Sequence, residues 1–162
     1  MARAAVQEWL AYPPLAKLFV QNTSGVFETT VGVAVEPPTF ERIGSANGSP
    51  RLADVPPEQD AKEFELEFPG GMRLDILTTR EPGGAGAIAR YLLKFGEGIQ
   101  QVEMNVSDVD GATEILRERF ALEPVYPATR SGADGTRINF FLVPRASGGK
   151  VLIELVGSAL KS

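Results

Sequence analysis

Polar and apolar residues alternate strictly along several stretches of this chain, and this restricts the fold to one built on strands with one packed face. One such stretch lies within Gly96 to Val106, where a glycine-bracketed turn leads into an alternating strand. Its apolar positions are Val102, Met104 and Val106, and its polar positions are Gln101, Glu103 and Asn105. We therefore expect functional side chains on the polar face of this strand.

Similar patterns recur along the chain in an order that repeats. In the first half they predict strands at residues 27–35, 51–55, 63–68 and 72–78, a short helix at 39–43 and a hairpin turn at Pro69-Gly70-Gly71. In the second half they predict helices at 87–95 and 108–120, with Ser107 as N-cap of the latter, and strands at 96–106, 122–126, 137–143 and 151–156. An order of strand, helix and three strands thus appears twice, which indicates an α+β fold with an internal duplication.

The predicted organisation has three parts. Residues 1–25 are predicted to form an N-terminal extension. Residues 26–86 are predicted to form a first, degenerate module with its connector, and residues 87–162 a linking helix and a second module. If the apolar face of each module takes the helices, the polar faces are left to line a common concavity.

Composition excludes several classes of chemistry. The chain has no histidine, so Ser-His and Cys-His catalysis and His-ligated metal sites are impossible. It has no cysteine either, which excludes disulfides and fits a cytoplasmic protein. The net charge of −5 and the scattered basic residues argue against nucleic acid as a partner. Without a long apolar run or a signal-peptide core, we expect no membrane partner.

Three segments carry a resemblance to a known family. They are Ile88-Ala-Arg-Tyr-Leu-Leu-Lys-Phe-Gly-Glu-Gly-Ile-Gln-Gln-Val, Val106-Ser-Asp-Val-Asp110 and Gly148-Gly-Lys-Val-Leu-Ile-Glu-Leu-Val156. Together they resemble the second module of the methylmalonyl-CoA epimerases, which belong to the vicinal oxygen chelate (glyoxalase and bleomycin-resistance) superfamily. Residues 55–78 resemble the family less closely, and residues 1–25 have no counterpart in it. The resemblance implies two βαβββ modules that form a half-open barrel-like sheet with helices on the outer face, commonly as a homodimer.

The resemblance also implies a divalent metal held by His, Gln or Glu, His and Glu. Those positions correspond here to Thr30, Asp75, Gln101 and Glu154, and the family's general base corresponds to Glu58. Because the first and third positions are not histidine, we expect no metal cofactor. The alternative is that Asp75 and Glu154 hold Mg²⁺, Mn²⁺ or Co²⁺ as residual oxygen ligands.

The function that follows is binding or transformation of a small acyl or carbonyl compound in the concavity. The candidate catalytic residues are Glu58 and Glu154, and if the protein is an enzyme we expect a lyase or isomerase type related to methylmalonyl-CoA epimerase. The candidate ligand-binding residues are Thr30, Gln101, Glu103, Asn105, Arg137 and Asn139.

Other functions and roles stay open at this point. The protein could instead sequester a cationic drug without metal, as bleomycin-resistance proteins do, or it could be a divergent epimerase or a scaffold. Glu154 could be a structural carboxylate paired with Arg137 or Arg73. The acidic positions Glu63, Glu65 and Glu67 could line the concavity or face solvent.

Overall fold

The computed structural model describes residues 2–144 and 149–158, with side chains from Val6 onward within those ranges. The helices are α1 (Ala2–Leu10), α2 (Pro13–Ala16), α3 (Pro37–Ala46), α4 (Ala87–Phe95) and α5 (Val109–Phe120). The strands are β1 (Thr29–Ala34), β2 (Ala61–Phe68), β3 (Met72–Thr79), β4 (Gly98–Asn105), β5 (Arg130–Ser131), β6 (Arg137–Pro144) and β7 (Lys150–Gly157). Short 3₁₀ turns lie at Pro57–Gln59 and Ala133–Gly135. This content confirms the predicted α+β class.

The chain divides into two compact units. The middle unit is Thr30–Gln101, and the terminal unit combines Met1–Thr29 with Val102–Ser162. Strands follow the order β2-β3-β1-β4 in the middle unit and β4-β7-β6-β5 in the terminal unit, so β4 begins in one unit and ends in the other.

The middle unit packs α3 against one face of its strands. β2 and β3 pair antiparallel, β1 and β3 pair parallel, and the core holds Val35, Phe40, Phe64 and Ile76. The predicted hairpin turn is confirmed, since Gly70 and Gly71 have φ angles of 90° and 80°. Residues that carry a side chain rarely adopt such φ angles, so the two glycines allow the tight reversal between β2 and β3.

The terminal unit has its own core, which includes the start of the chain. Trp9, Leu15 and Phe19 are at most 5% exposed and pack with residues of α5, β4, β6 and β7. Phe19 forms a β-bridge with Val106, and the Val20 N–H donates to the Asn105 carbonyl at 2.9 Å. The N-terminal residues are therefore an integral part of this unit's packing.

Two predicted strands do not form. Residues 51–55 make only one backbone hydrogen bond to β2, from the Ala53 N–H to the Glu63 carbonyl, and the nearby prolines cannot donate to a ladder. At 122–126 there is only an isolated bridge between Pro124 and Phe141, and the short second strand of this module, β5, lies further on.

The predicted serine N-cap of α5 is also wrong. The cap is Asp108, whose carboxylate accepts a hydrogen bond from the Gly111 N–H at 3.0 Å. The Ser107 hydroxyl instead donates to the Leu18 carbonyl at 3.2 Å. Either residue type suits an N-cap, and the long-range contact of Ser107 decides between them.

Candidate ligand-binding site

A row of residues crosses the middle unit on the face opposite its core. Val33 and Val35 pack toward the core, so the alternating position Gly32 lies on the other face. The strand register pairs Gly32 with Asp75 and Asp75 with Glu65. One residue from each of β2, β3 and β1 therefore lies side by side across the strands.

Gln101 of β4 extends this row. A Cβ atom added at Gly32 would lie 2.5 Å from the Gln101 Cγ and 3.3 Å from its Cδ. The Gln101 side chain therefore lies over the β1 backbone where no side chain projects, and it is 7% exposed. Thr30, which lies two residues before Gly32 on the same face of β1, is 3% exposed. The structure thus brings together three predicted site positions of this unit, Thr30, Asp75 and Gln101.

The three glutamates of β2 belong to the same face. The register places Glu63, Glu65 and Glu67 opposite Leu77, Asp75 and Arg73, while the alternating Phe64 and Leu66 pack toward the core. An Arg73 guanidinium nitrogen lies 3.8 Å from a Glu65 carboxylate oxygen. Glu65 and Glu67 are exposed and Glu63 is half-buried, so this acidic edge of the face is open to solvent.

The pKa of Glu65 is raised from its ordinary value. Partial burial is the largest cause, and the neighbouring Asp75 and Glu67 carboxylates add to it, while the Arg73 charge opposes it. The folded protein therefore holds this proton at pH values where the unfolded chain has lost it. Stability contributed by protonated Glu65 is complete below the ordinary value of 4.5 and is lost as the pH rises through the raised pKa.

We therefore expect Glu65→Gln to be more stable than the wild type at pH 7 and equal to it near pH 3.5. The gain should be below about 1 kcal/mol, because the side chain is 45% exposed and solvent screens its charge. Thermal melts across this pH range measure the difference. The exposed helical carboxylate in Glu118→Gln is the control. A Glu65→Gln gain that does not change with pH would contradict the expectation.

A second perturbed carboxylate, Glu97, lies at the N-terminus of α3. Its pKa is lowered by a hydrogen bond with the Thr39 side chain and by one from the Glu36 backbone N–H, which donates at 3.0 Å. An anion at this end of a helix satisfies free N–H groups and complements the helix dipole. This contribution to stability is present at neutral pH and is lost as the pH falls through the lowered pKa.

The terminal unit presents three predicted site residues on one face. Met104, Val106, Ile153 and Leu155 pack into its core, so the alternating Glu103, Asn105 and Glu154 lie on the opposite face. Glu154 is 7% exposed and faces Phe140 across the β6–β7 pair. The Asn105 amide lies 3.4 Å from a Glu28 carboxylate oxygen.

Arg137 and Asn139 do not share the face of Glu154, so their predicted grouping with it is wrong. The register pairs Asn139 with Leu155, which puts Asn139 on the core side, where it is fully buried and donates to the Tyr126 carbonyl at 3.2 Å. Arg137 forms an ion pair with Asp110 at 2.5 Å. Both residues therefore make structural contacts.

Glu58 lies on the 3₁₀ turn Pro57–Gln59 of the middle unit, and its side chain is exposed. Sequence reasoning did not single out Gly32 as a site residue, and it left open whether Glu65 lines the concavity or faces solvent. A glycine inside an alternating strand indicates that something approaches the backbone closely, and this signal could have identified Gly32.

The donor set does not fit the metal that the family resemblance implies. The chain has no histidine, and within residues 2–144 and 149–158 no group of three or more Asp, Glu, His or Cys side chains is placed to hold an ion. Of the four corresponding positions, only Asp75 and Glu154 are carboxylates.

Comparisons with solved structures place this fold among the vicinal oxygen chelate (glyoxalase) proteins. The chain is 34% identical to methylmalonyl-CoA epimerase from Mycobacterium tuberculosis, over 82% of this chain and 87% of that one, with a TM-score of 0.65. It therefore belongs to the methylmalonyl-CoA epimerase family. No family model and no curated protein matches it.

Two further neighbours carry bound ligands. A variant of the Streptomyces coelicolor methylmalonyl-CoA epimerase, in complex with 2-nitronate-propionyl-CoA, is 26% identical over 80% of this chain and 95% of that one, with a TM-score of 0.63. A methylmalonyl-CoA epimerase in complex with methylmalonyl-CoA and NH₄⁺ is 24% identical over 88% and 96%, with a TM-score of 0.64, and supports the fold alone. No helix in the described residues is long and apolar enough to span a membrane.

Proposed function

We propose that this protein binds a small acyl-CoA and that the Gln101 amide hydrogen-bonds the acyl thioester carbonyl. The observation that carries the proposal is the placement of Gln101, which is held over Gly32 in the row with Asp75 and Glu65. The likeness to epimerases with bound acyl-CoA compounds supports the choice of ligand class.

The arrangement suits proton transfer at the acyl α-carbon. A thioester makes its α-proton acidic, and loss of that proton moves negative charge onto the carbonyl oxygen. An amide N–H donor placed at that oxygen stabilises the charge, and a carboxylate accepts the proton and returns it. Return to the opposite face of the carbon would be an epimerisation. The chain supplies these groups without imidazole.

We assign the carboxylate roles to Glu58, which corresponds to the family's general base, and to Glu154, the second catalytic candidate from the sequence. Glu58→Gln and Glu154→Gln should each slow exchange of the α-proton of propionyl-CoA in D₂O by about 10²–10⁴-fold while leaving binding intact. Mass spectrometry of the thioester measures this exchange. If Glu154→Gln raises the melting temperature without changing binding or exchange, Glu154 is a structural carboxylate.

Binding is tested by calorimetry with propionyl-CoA and methylmalonyl-CoA after treatment with a chelator. We expect Gln101→Ala to weaken binding about tenfold, because a lost hydrogen bond to a buried amide is worth about 1–1.5 kcal/mol. Gln100→Ala is a matched control, because adjacent residues of a strand point to opposite faces. Absence of binding in the wild type, or equal effects of the two substitutions, would reject the proposal.

The acidic edge of the same face supports a second candidate function. Glu63, Glu65, Glu67 and Asp75 together favour a cationic ligand, as a drug-sequestering protein requires. A melting-temperature increase with bleomycin, and none with either acyl-CoA, would favour this function. The homodimer and the cytoplasmic location stay predictions.

A further inference from the structure

We propose that Gly32 is a positioning residue whose missing side chain holds the Gln101 amide in place for the acyl group. This inference rests on the proposed function, and it extends that function to a residue that does not itself contact the ligand. Three observations carry it: the backbone conformation at Gly32, the space above it and the burial of Gln101.

The backbone does not require a glycine at this position. Eight glycines in the described residues have a positive φ angle, and Gly32 is not one of them. It lies inside β1 and pairs in register with Asp75. An L-residue could therefore adopt its conformation, and glycine inside a strand is less stable than alanine. The reason for glycine must lie in the space around it.

That space is occupied by Gln101. An added Cβ would lie 2.5 Å from the Gln101 Cγ, which is closer than real Cβ contacts allow. It would also lie 3.1 Å from the Leu77 Cδ1, which is a tight contact. The Cγ is in the middle of the side chain, so Gln101 cannot relieve the overlap by moving only its amide end. A side chain at position 32 would displace Gln101 from the row.

Displacement would change what the site presents. Gln101 is 7% exposed and its side chain packs over the β1 backbone at Gly32, which restricts the positions that its amide can take. A fixed donor loses little conformational entropy when a ligand binds, whereas a displaced one must first be ordered. Gly32 therefore acts on the ligand through Gln101.

The test is a double-substitution cycle of Gly32→Ala and Gln101→Ala in the full chain, with melting temperature and propionyl-CoA affinity as separate measurements. Gly32→Ala alone should weaken binding about tenfold, as Gln101→Ala does, and the double variant should bind no more weakly than Gln101→Ala. In the Gln101→Ala background, Gly32→Ala should raise the melting temperature by about 1–3 °C. The overlap with the Gln101 side chain is then gone, the flexible end of Leu77 can move slightly, and alanine restricts the unfolded chain.

Gly98→Ala is the matched control, because the added Cβ would meet only the Tyr91 hydroxyl at an ordinary 3.5 Å. It should leave propionyl-CoA affinity unchanged. Equal effects of Gly32→Ala on melting temperature in both backgrounds, or independent effects of the two substitutions on affinity, would overturn the inference. Coupled melting temperatures in a protein that binds no acyl-CoA would instead confirm the packing, while rejecting both the ligand role of Gly32 and the proposed function.

Discussion

Trp9→Ala is expected to lower the free energy of unfolding by about 3–5 kcal/mol, the usual range for deleting a large aromatic side chain from a core. Trp9 is 1% exposed and lies in the same cluster as Phe141 and Leu155. The loss is large because the indole fills space between helices and sheet, and its removal leaves a cavity in addition to the lost burial.

Urea denaturation followed by circular dichroism measures this change. Leu142→Ala is the control in the same unit, because Leu142 is 48% exposed and should cost less than about 1 kcal/mol. A loss below about 1 kcal/mol for Trp9→Ala would mean that the start of the chain contributes little to the terminal unit.

Phe64→Ala is expected to cost a similar amount, about 3–5 kcal/mol, in the middle unit. Phe64 is 2% exposed, and its ring centroid lies 4.7 Å from that of Phe40 on α3. The substitution removes both the buried ring and its aromatic partner contact, which joins β2 to the helix.

Hydrogen–deuterium exchange can locate this loss, because amides of β2 and β3 should exchange faster in Phe64→Ala. Met72→Ala lies at the start of β3 and is a suitable control, since Met72 is 56% exposed. The expectation fails if the two substitutions destabilise the protein equally or if exchange in β2 and β3 is unchanged.

Local sequence patterns predicted most of the elements because period-2 alternation is a local property. Strands β2, β3, β4, β6 and β7 all lie where alternation placed them. The position of residues 1–25 could not be predicted, because contacts such as that between Phe19 and Val106 join residues far apart in sequence. No local pattern contains that information.

Part of the candidate site followed from the same patterns. Thr30, Asp75 and Gln101 were expected on polar faces, and in the structure they lie opposite the core of the middle unit. The sequence did not indicate which face of β6 is buried, since aromatic residues occupy both. Phe141 packs into the core of the terminal unit, so Asn139, two residues earlier on β6, lies on the same buried face. The contact between Gln101 and Gly32 could not be predicted, because it joins residues that lie far apart in the sequence.

The burial of Trp9 has a spectroscopic consequence. It is the single tryptophan of the chain, so intrinsic fluorescence excited near the red edge of protein absorption arises from the terminal unit alone. The tryptophan emission would therefore report the unfolding of that core and would not report direct changes at Gln101. A second chromophore, such as a tryptophan substituted for exposed Phe95, would let one instrument follow both units of the same molecule.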